Sequence, residues 1–214
     1  MEKKVDTKIS LQALDLGRLT LHIVGDSPLI SHAWSQKARL QYLDELMDKP
    51  SIGRRSKHPT QEFAGSLYWL SDKPEIDDDT PEDEAQKILA QVLSTARFGF
   101  PTSAFKAAAI DAAMRAGVIK KAVARGAFFI YGEFAELKGI PTPREDMVRI
   151  GRGNPDIRFR AEFKSWSTTL DIEFNKRLLN AEQLANIFRM GGYACGVGDW
   201  RPAKGGSFGM FHIE

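Results

Sequence analysis

The chain has 214 residues, of which 43% are hydrophobic, 13 are Phe and one is Cys, with a formal net charge of +2. That length and apolar content suffice for a packed core in one large domain or two small ones, and they exclude a disordered chain. The longest apolar runs, such as GAFFIYG, are too short to span a bilayer, and the lone Cys195 excludes an internal disulfide framework.

In chain order, MEKKVDTKIS is charged and lacks the apolar stretch of a signal peptide, so a reducing, cytoplasmic setting is expected. RLTLHIVG alternates Leu19, Leu21 and Ile23 with polar residues, which predicts a half-buried strand. DSPLIS reads as a turn, and Trp34 to Met47 has helical periodicity. Residues 50–60, PSIGRRSKHPT, form an expected exposed basic loop with Arg54, Arg55, Lys57 and His58 between two prolines. EFAGSLYWLS fits a strand or a short helix equally. Residues 72–84, DKPEIDDDTPEDE, carry eight acids and one Lys and predict a solvated loop, followed by an amphipathic stretch from Glu82 to Phe98.

The next helix is the clearest. Pro101, Thr102 and Ser103 supply start signals, AFKAAAIDAAMRA is rich in helix formers, and Gly117 stops it. Lys120, Lys121 and Arg125 then follow just past its end, where a helix macrodipole alone favours cations. GAFFIYGEFAEL and MVRIGRG read as strands, and DIRFRAEFKSW and STTLDIEFN alternate as a long strand pair. Asn180 caps a last helix whose Leu184, Ile187 and Phe188 share one face, and a glycine-rich loop leads into the terminal strand SFGMFHIE.

Setting aside an insertion at about 31–98, this order is β-α-β-β-α-β. It predicts one α+β domain over residues 1–214: a modified ferredoxin-like, RRM-like antiparallel sheet with both helices on one face. The opposite sheet face is then available to a ligand, as it is for single-stranded RNA in RRM proteins.

No GxxxxGK[ST], HExxH, GxSxG or CxxC occurs, and His22, His32, His58 and His212 lack metal-ligand spacing, so neither a catalytic set nor a metal or cofactor is expected. The basic residues carry more information. From Ala85 to Glu214, 19 Lys and Arg face 12 Asp and Glu, a surplus that suits a polyanion. Arg144, Arg149, Arg152, Arg158 and Arg160 fall within 17 positions, with Arg152 at the expected hairpin tip and Arg158 and Arg160 on one strand face. Such a ribbon can track phosphates through bidentate guanidinium contacts. Equally, Glu145, Asp146 and Glu162 can neutralise it. In GVGDWRPAKGGSFG, glycines permit close backbone approach to a polymer, and Trp200 with Arg201 offers a stacking plane beside a cation. Trp200 filling the core is the alternative.

Three stretches, LTLHIVGDSPLISH, FGFPTSAFKAAAIDAAM and LNAEQLANIFRMGGYACGVGDWRPAKGGSFGMF, resemble the RAMP superfamily, and within it the Cas7-like backbone proteins of CRISPR effector complexes. The GDWRP…G-FG-F ending is similar to that of small phage and prophage proteins. The resemblance implies a non-enzymatic protein that binds single-stranded RNA or DNA with little sequence preference, as a homo-oligomer or filament and in company with other subunits of a nucleoprotein complex. It assigns Gly196, Gly198, Gly205 and Gly206 to the glycine-rich loop and the hairpin around Arg152 to a contact between neighbouring subunits. The residues expected at the nucleic acid are Arg54, Arg55, Lys57, Lys120, Lys121, Arg149, Arg152, Arg158, Arg160, Trp200, Arg201 and Lys204. The alternatives are a phage structural or protein-interaction module on the same fold, and a RAMP-like endoribonuclease using His32 or His58.

Overall fold

The computed structural model describes residues 13–34, 39, 42–44, 46–47, 57–77, 79–117, 119–149 and 155–214. The expectations for Arg54, Arg55 and Arg152 lie outside them. Strand β1 (Leu16–Gly25) leads to β2 (Leu29–Ser31), helix α1 (Pro59–Gly65), β3 (Tyr68–Trp69), α2 (Glu82–Leu93) and β4 (Phe98–Pro101). Helices α3 (Thr102–Arg115) and α4 (Lys121–Ala127) precede β5 (Phe128–Ile130), β6 (Phe134–Lys138), β7 (Pro141–Arg149), β8 (Pro155–Phe163) and β9 (Ser167–Asn175). Helix α5 (Ala181–Ala194), a 3-10 turn (Pro202–Lys204) and β10 (Phe211–Ile213) close the chain.

The large sheet runs β10-β1-β9-β6-β4-β3, with β5 also on β9, and its described pairings are antiparallel. Counting β5 and β6 as one interrupted strand, its central part orders the strands fourth, first, third, second, with α3 and α5 as the two crossovers. That is the α+β ferredoxin-like arrangement. The register follows the alternation seen in the sequence. Leu21 pairs with Leu170 and Leu19 with Ile172, while Thr20 meets Asp171 on the other face. Leu21, Ile23, Leu170, Ile172 and Phe174 are buried under the helices, and Arg18, Thr20, His22 and Asp171 are exposed on the far side.

Each crossover helix forms for local reasons and docks for shape reasons. Pro101 precedes α3, and Gly117 adopts a φ of +69° just after it, with its N–H returned to Met114. The α5 cap is a complete box: Gln183 N–H donates to Asn180 Oδ1 at 2.8 Å and Asn180 N–H to Gln183 Oε1 at 3.0 Å. Phe105 of α3 and Leu184 and Phe188 of α5 are fully buried, each contributing about 1.5–3 kcal/mol.

Three local expectations change. DIRFRAEF and STTLDIEFN do not pair with each other: β8 joins β2 and β7 in a separate three-stranded sheet, and β9 lies in the large one. The cause is the bend at Lys164 and Ser165, locked by Trp166, whose ring is buried and donates to Ser27 O at 2.9 Å. EFAGSLYWLS divides, with Pro59 at the start of α1, Phe63 and Ala64 buried, and Tyr68–Trp69 as β3. Lys120 and Lys121 do not trail α3; they begin α4, so the macrodipole does not account for them. Strands β3 and β4 show that the inserted segment also widens the large sheet past β6. No helix among the described residues is long and apolar enough to cross a membrane.

Helix α5 meets β10 through Gly192, where a Cβ would lie 1.9 Å from the Phe211 carbonyl oxygen. Alanine in a helix interior normally gains about 1 kcal/mol over glycine. Gly192→Ala is expected to do the reverse, costing about 2 kcal/mol or more in urea unfolding; a neutral result would contradict this docking.

Candidate functional site

Hairpin β7–β8 places Arg144 opposite Arg160, Asp146 opposite Arg158 and Thr142 opposite Glu162, so these side chains share one face. They are not an open phosphate track. Arg144 donates to both Asp146 oxygens at 3.0 Å and to Glu162 at 2.7 Å. Arg160 donates to Asp146 at 3.1 Å and to Asp199 at 2.7 Å, and is only 3% exposed. Its Nε is buried without a partner among the described residues. Asp199 also holds His32 Nδ1 at 3.0 Å. Burial alone would raise the Asp199 carboxyl, but the hydrogen bonds to His32 and Arg160 outweigh it and leave it below the usual carboxylate range.

Trp200 is the cap of this chain of charges. The Arg160 and Arg144 guanidinium carbons lie 4.9 and 5.3 Å from its ring centroid, and Phe208 packs against it at 5.9 Å. At 37% exposed it neither fills the core nor stands free as a stacking plane. Its backbone has a φ of 52°. The glycine-rich loop is tied down on both sides: Asp199 N–H donates to Ile30 O at 3.2 Å, Val197 N–H to Gly209 O at 2.9 Å, and Gly209 N–H to Pro28 O at 2.8 Å. Gly198, with a φ of +80°, has no room for a Cβ, which would sit 2.6 Å from Ile30 O. A Cβ at Gly206 would meet Trp200 O at 1.8 Å. Gly196 lines the cleft described next, and Gly205 is exposed at the end of the 3-10 turn. At Gly198 and Gly206, closing the loop on itself accounts for the glycine.

The remaining predicted cations divide. Lys57 pairs with Asp156 at 2.8 Å and donates to Ile157 O, so it fastens the chain to β8. Arg158 lies 4.0 Å from Asp156 and is partly exposed, and Arg149 is exposed at the end of β7. Lys120, Lys121 and Lys204 are exposed, and Arg201 is half-buried with Nη1 donating to Gly198 O at 2.9 Å.

A cleft of about 640 Å³ gathers some of these groups. Its walls are the first turns of α3, the α4 side chains Lys121 and Arg125, and the loop from Cys195 to Arg201, with His32 and Tyr68 also lining it. Lys121 and Arg125 are four apart and share a helix face. Neither makes an ion pair among the described residues. The cleft's two carboxylates are both engaged: Asp111 by Arg115 at 3.2 Å, Asp199 by His32 and Arg160. Lys121 and Arg125 are therefore the cleft's cations without a carboxylate partner among the described residues, while both carboxylates have partners of their own. Cys195 is buried, and burial together with the Asp111 charge raises its thiol above the usual range. Sequence reasoning placed Arg125 near the right spot without selecting it; the i, i+4 spacing from Lys121 was the available signal. The His32–Asp199 pairing spans 167 positions and left no local signal.

The open face of the large sheet has the opposite character. Glu173 accepts from Arg18 at 3.2 Å, Asp171 from Thr20 at 2.7 Å, and Glu136 from Arg97 at 2.7 Å. The Arg97 hydrogen bonds, reinforced by Lys138, hold the Glu136 carboxyl down to about 2. Phe129 and Tyr131 stand exposed there in an edge-on pair. Glu173 and Glu136 are paired with arginines and Asp171 with a hydroxyl, so the Arg18 and Arg97 cations of this face are already engaged.

No family model matches the chain, and no curated protein matches it. Among solved structures it is similar to the crystal structure of Cmr6 from Pyrococcus furiosus, at 14% identity over 94% of this chain and 100% of that one, with a TM-score of 0.36.

Removing Asp146 would take a carboxylate from two guanidinium groups at once, leaving Arg144 with Glu162 and the buried Arg160 with Asp199. Asp146→Ala is expected to cost about 3 kcal/mol or more in denaturant unfolding, whereas Arg158→Ala stays within about 0.5 kcal/mol. Equal small effects from both would mean that the charge chain does not stabilise the fold.

Proposed function

We propose that the protein is a non-enzymatic binder of single-stranded nucleic acid, RNA or DNA, that reads phosphate rather than sequence and assembles as identical copies along the strand. The carrying observation is the cleft in which Lys121 and Arg125 have no carboxylate partner among the described residues while Asp111 and Asp199 are each ion-paired to other groups. Arg201 lines the same cleft, and Lys120 and Lys204 are exposed on the adjoining chain. This arrangement supports a phosphate path along α4 and the glycine-rich loop, and the loop is among the stretches that carry the RAMP-like resemblance.

Neutralising three to five phosphates on a single strand corresponds to a log–log salt slope of about −2 to −3.5. Binding of labelled single strands across a salt series is expected to show such a slope. Lys121→Glu with Arg125→Glu should reduce its magnitude by about 1.4 and weaken binding at low salt by more than about tenfold, while Arg18→Ala on the open face changes nothing. A flat slope, or no binding at low salt, removes the proposal.

One observation favours a second reading. His32 lies in the cleft with Nδ1 held by Asp199, the arrangement that orients an imidazole for proton transfer. It supports RNA cleavage as the alternative activity. Incubating RNA with wild type and His32→Ala decides it: cleavage by the wild type alone establishes the enzyme, and intact RNA with both proteins removes it.

A further inference from the structure

The cleft is larger and chemically more divided than contact with backbone phosphates requires. About 640 Å³ falls within the range of roughly 300–1,000 Å³ typical of small-ligand sites. One wall is apolar: the partly exposed Tyr68 and Pro101 present its surface, with Phe100, edge-on to Tyr68 at 5.8 Å between ring centroids, and Ile30 buried behind them. On α3, Ala104 and Ala107 line the cleft with side chains no larger than a methyl group, leaving space where longer residues would fill it. The other wall is cationic, made by Lys121, Arg125 and Arg201. An apolar surface with room for a flat ring, beside unpaired cations, is the complement of a nucleotide.

We propose that the cleft takes a single nucleotide unit, with the base against the apolar wall and the phosphate at Lys121 and Arg125. A bound strand is then held by one inserted base as well as by its backbone. Stacking and apolar contact accept any base, because every base has a π-face, so insertion is compatible with weak sequence preference. Ser103 and His32 supply polar groups at the cleft for the base edge or sugar. The proposal rests on the nucleic-acid reading for the polymer, but a free nucleotide tests the cleft by itself.

The test is calorimetric titration of the full chain with adenosine and uridine 5′-monophosphates, adenosine, uridine and inorganic phosphate. Each monophosphate is expected to bind at least about tenfold more tightly than its nucleoside or than phosphate alone. Ala107 is exposed on α3 and lines the cleft, so Ala107→Trp fills the space without entering the core. It should abolish nucleotide binding and lower single-strand affinity while leaving the salt slope of the polymer unchanged, because the cations remain. If the monophosphates bind no better than inorganic phosphate, the cleft reads charge only and the inserted base is wrong, whatever the strand assay gives. If they bind as expected while single strands do not, the nucleotide site stands and the polymer reading falls. The wild-type comparison decides even if Ala107→Trp does not fold.

Discussion

A chain of alternating charges runs from Glu162 through Arg144, Asp146 and Arg160 to Asp199 and His32, and the placement of the cleft depends on it. It ties together the β7–β8 hairpin, the glycine-rich loop and the residue that follows β2, the strand that pairs with β8. Ion pairs of this kind are marginal in water, because desolvation consumes most of the Coulombic gain. Here Asp146 and Asp199 each serve two partners and Trp200 and Phe208 pack over the guanidinium groups, so the inner members are buried without an uncompensated charge. The chain also gives Asp199, at the edge of the cleft, two partners of its own. Without that pairing an unpaired carboxylate would face the same space as Lys121 and Arg125.

The two faces of the large sheet have divided the electrostatic work. On the open face, acids sit beside Arg18, Arg97 and Lys138 at cross-strand and neighbouring positions, and the local field is close to neutral. On the helix side, unpaired cations collect where α4 abuts the loop. A sheet face on which Arg18 and Arg97 are held by carboxylates offers phosphates few free cations, and a shared fold does not by itself fix where a ligand binds. The exposed aromatic pair Phe129 and Tyr131 belongs to that face, with the Arg18 guanidinium 5.6 Å from the Tyr131 ring.

The core was legible because its signals are local. Period-two alternation in β1 and β9, the Ala-rich run of α3 and the Asn180 cap of α5 each lie within about a dozen residues, and each formed as expected. The site was legible only in part. Lys121, Arg201, Gly196 and Gly198 do line one cleft. Arg160 and Lys57, chosen for the same polyanion, are consumed by ion pairs within the protein. A strand arginine reads identically whether its partner is a phosphate or a distant aspartate.

The sequence by itself determined the α+β class, the ferredoxin-like order of strands and helices, and the basic balance of the last two-thirds of the chain. Hydrophobic periodicity and capping act over single turns and adjacent residues, and composition needs no geometry at all. Only the tertiary structure decided which cations remain free, which sheet β8 joins, and that His32 meets Asp199 across 167 positions. Those outcomes depend on which groups share a buried volume, and loss of solvent there makes one pairing exclude another.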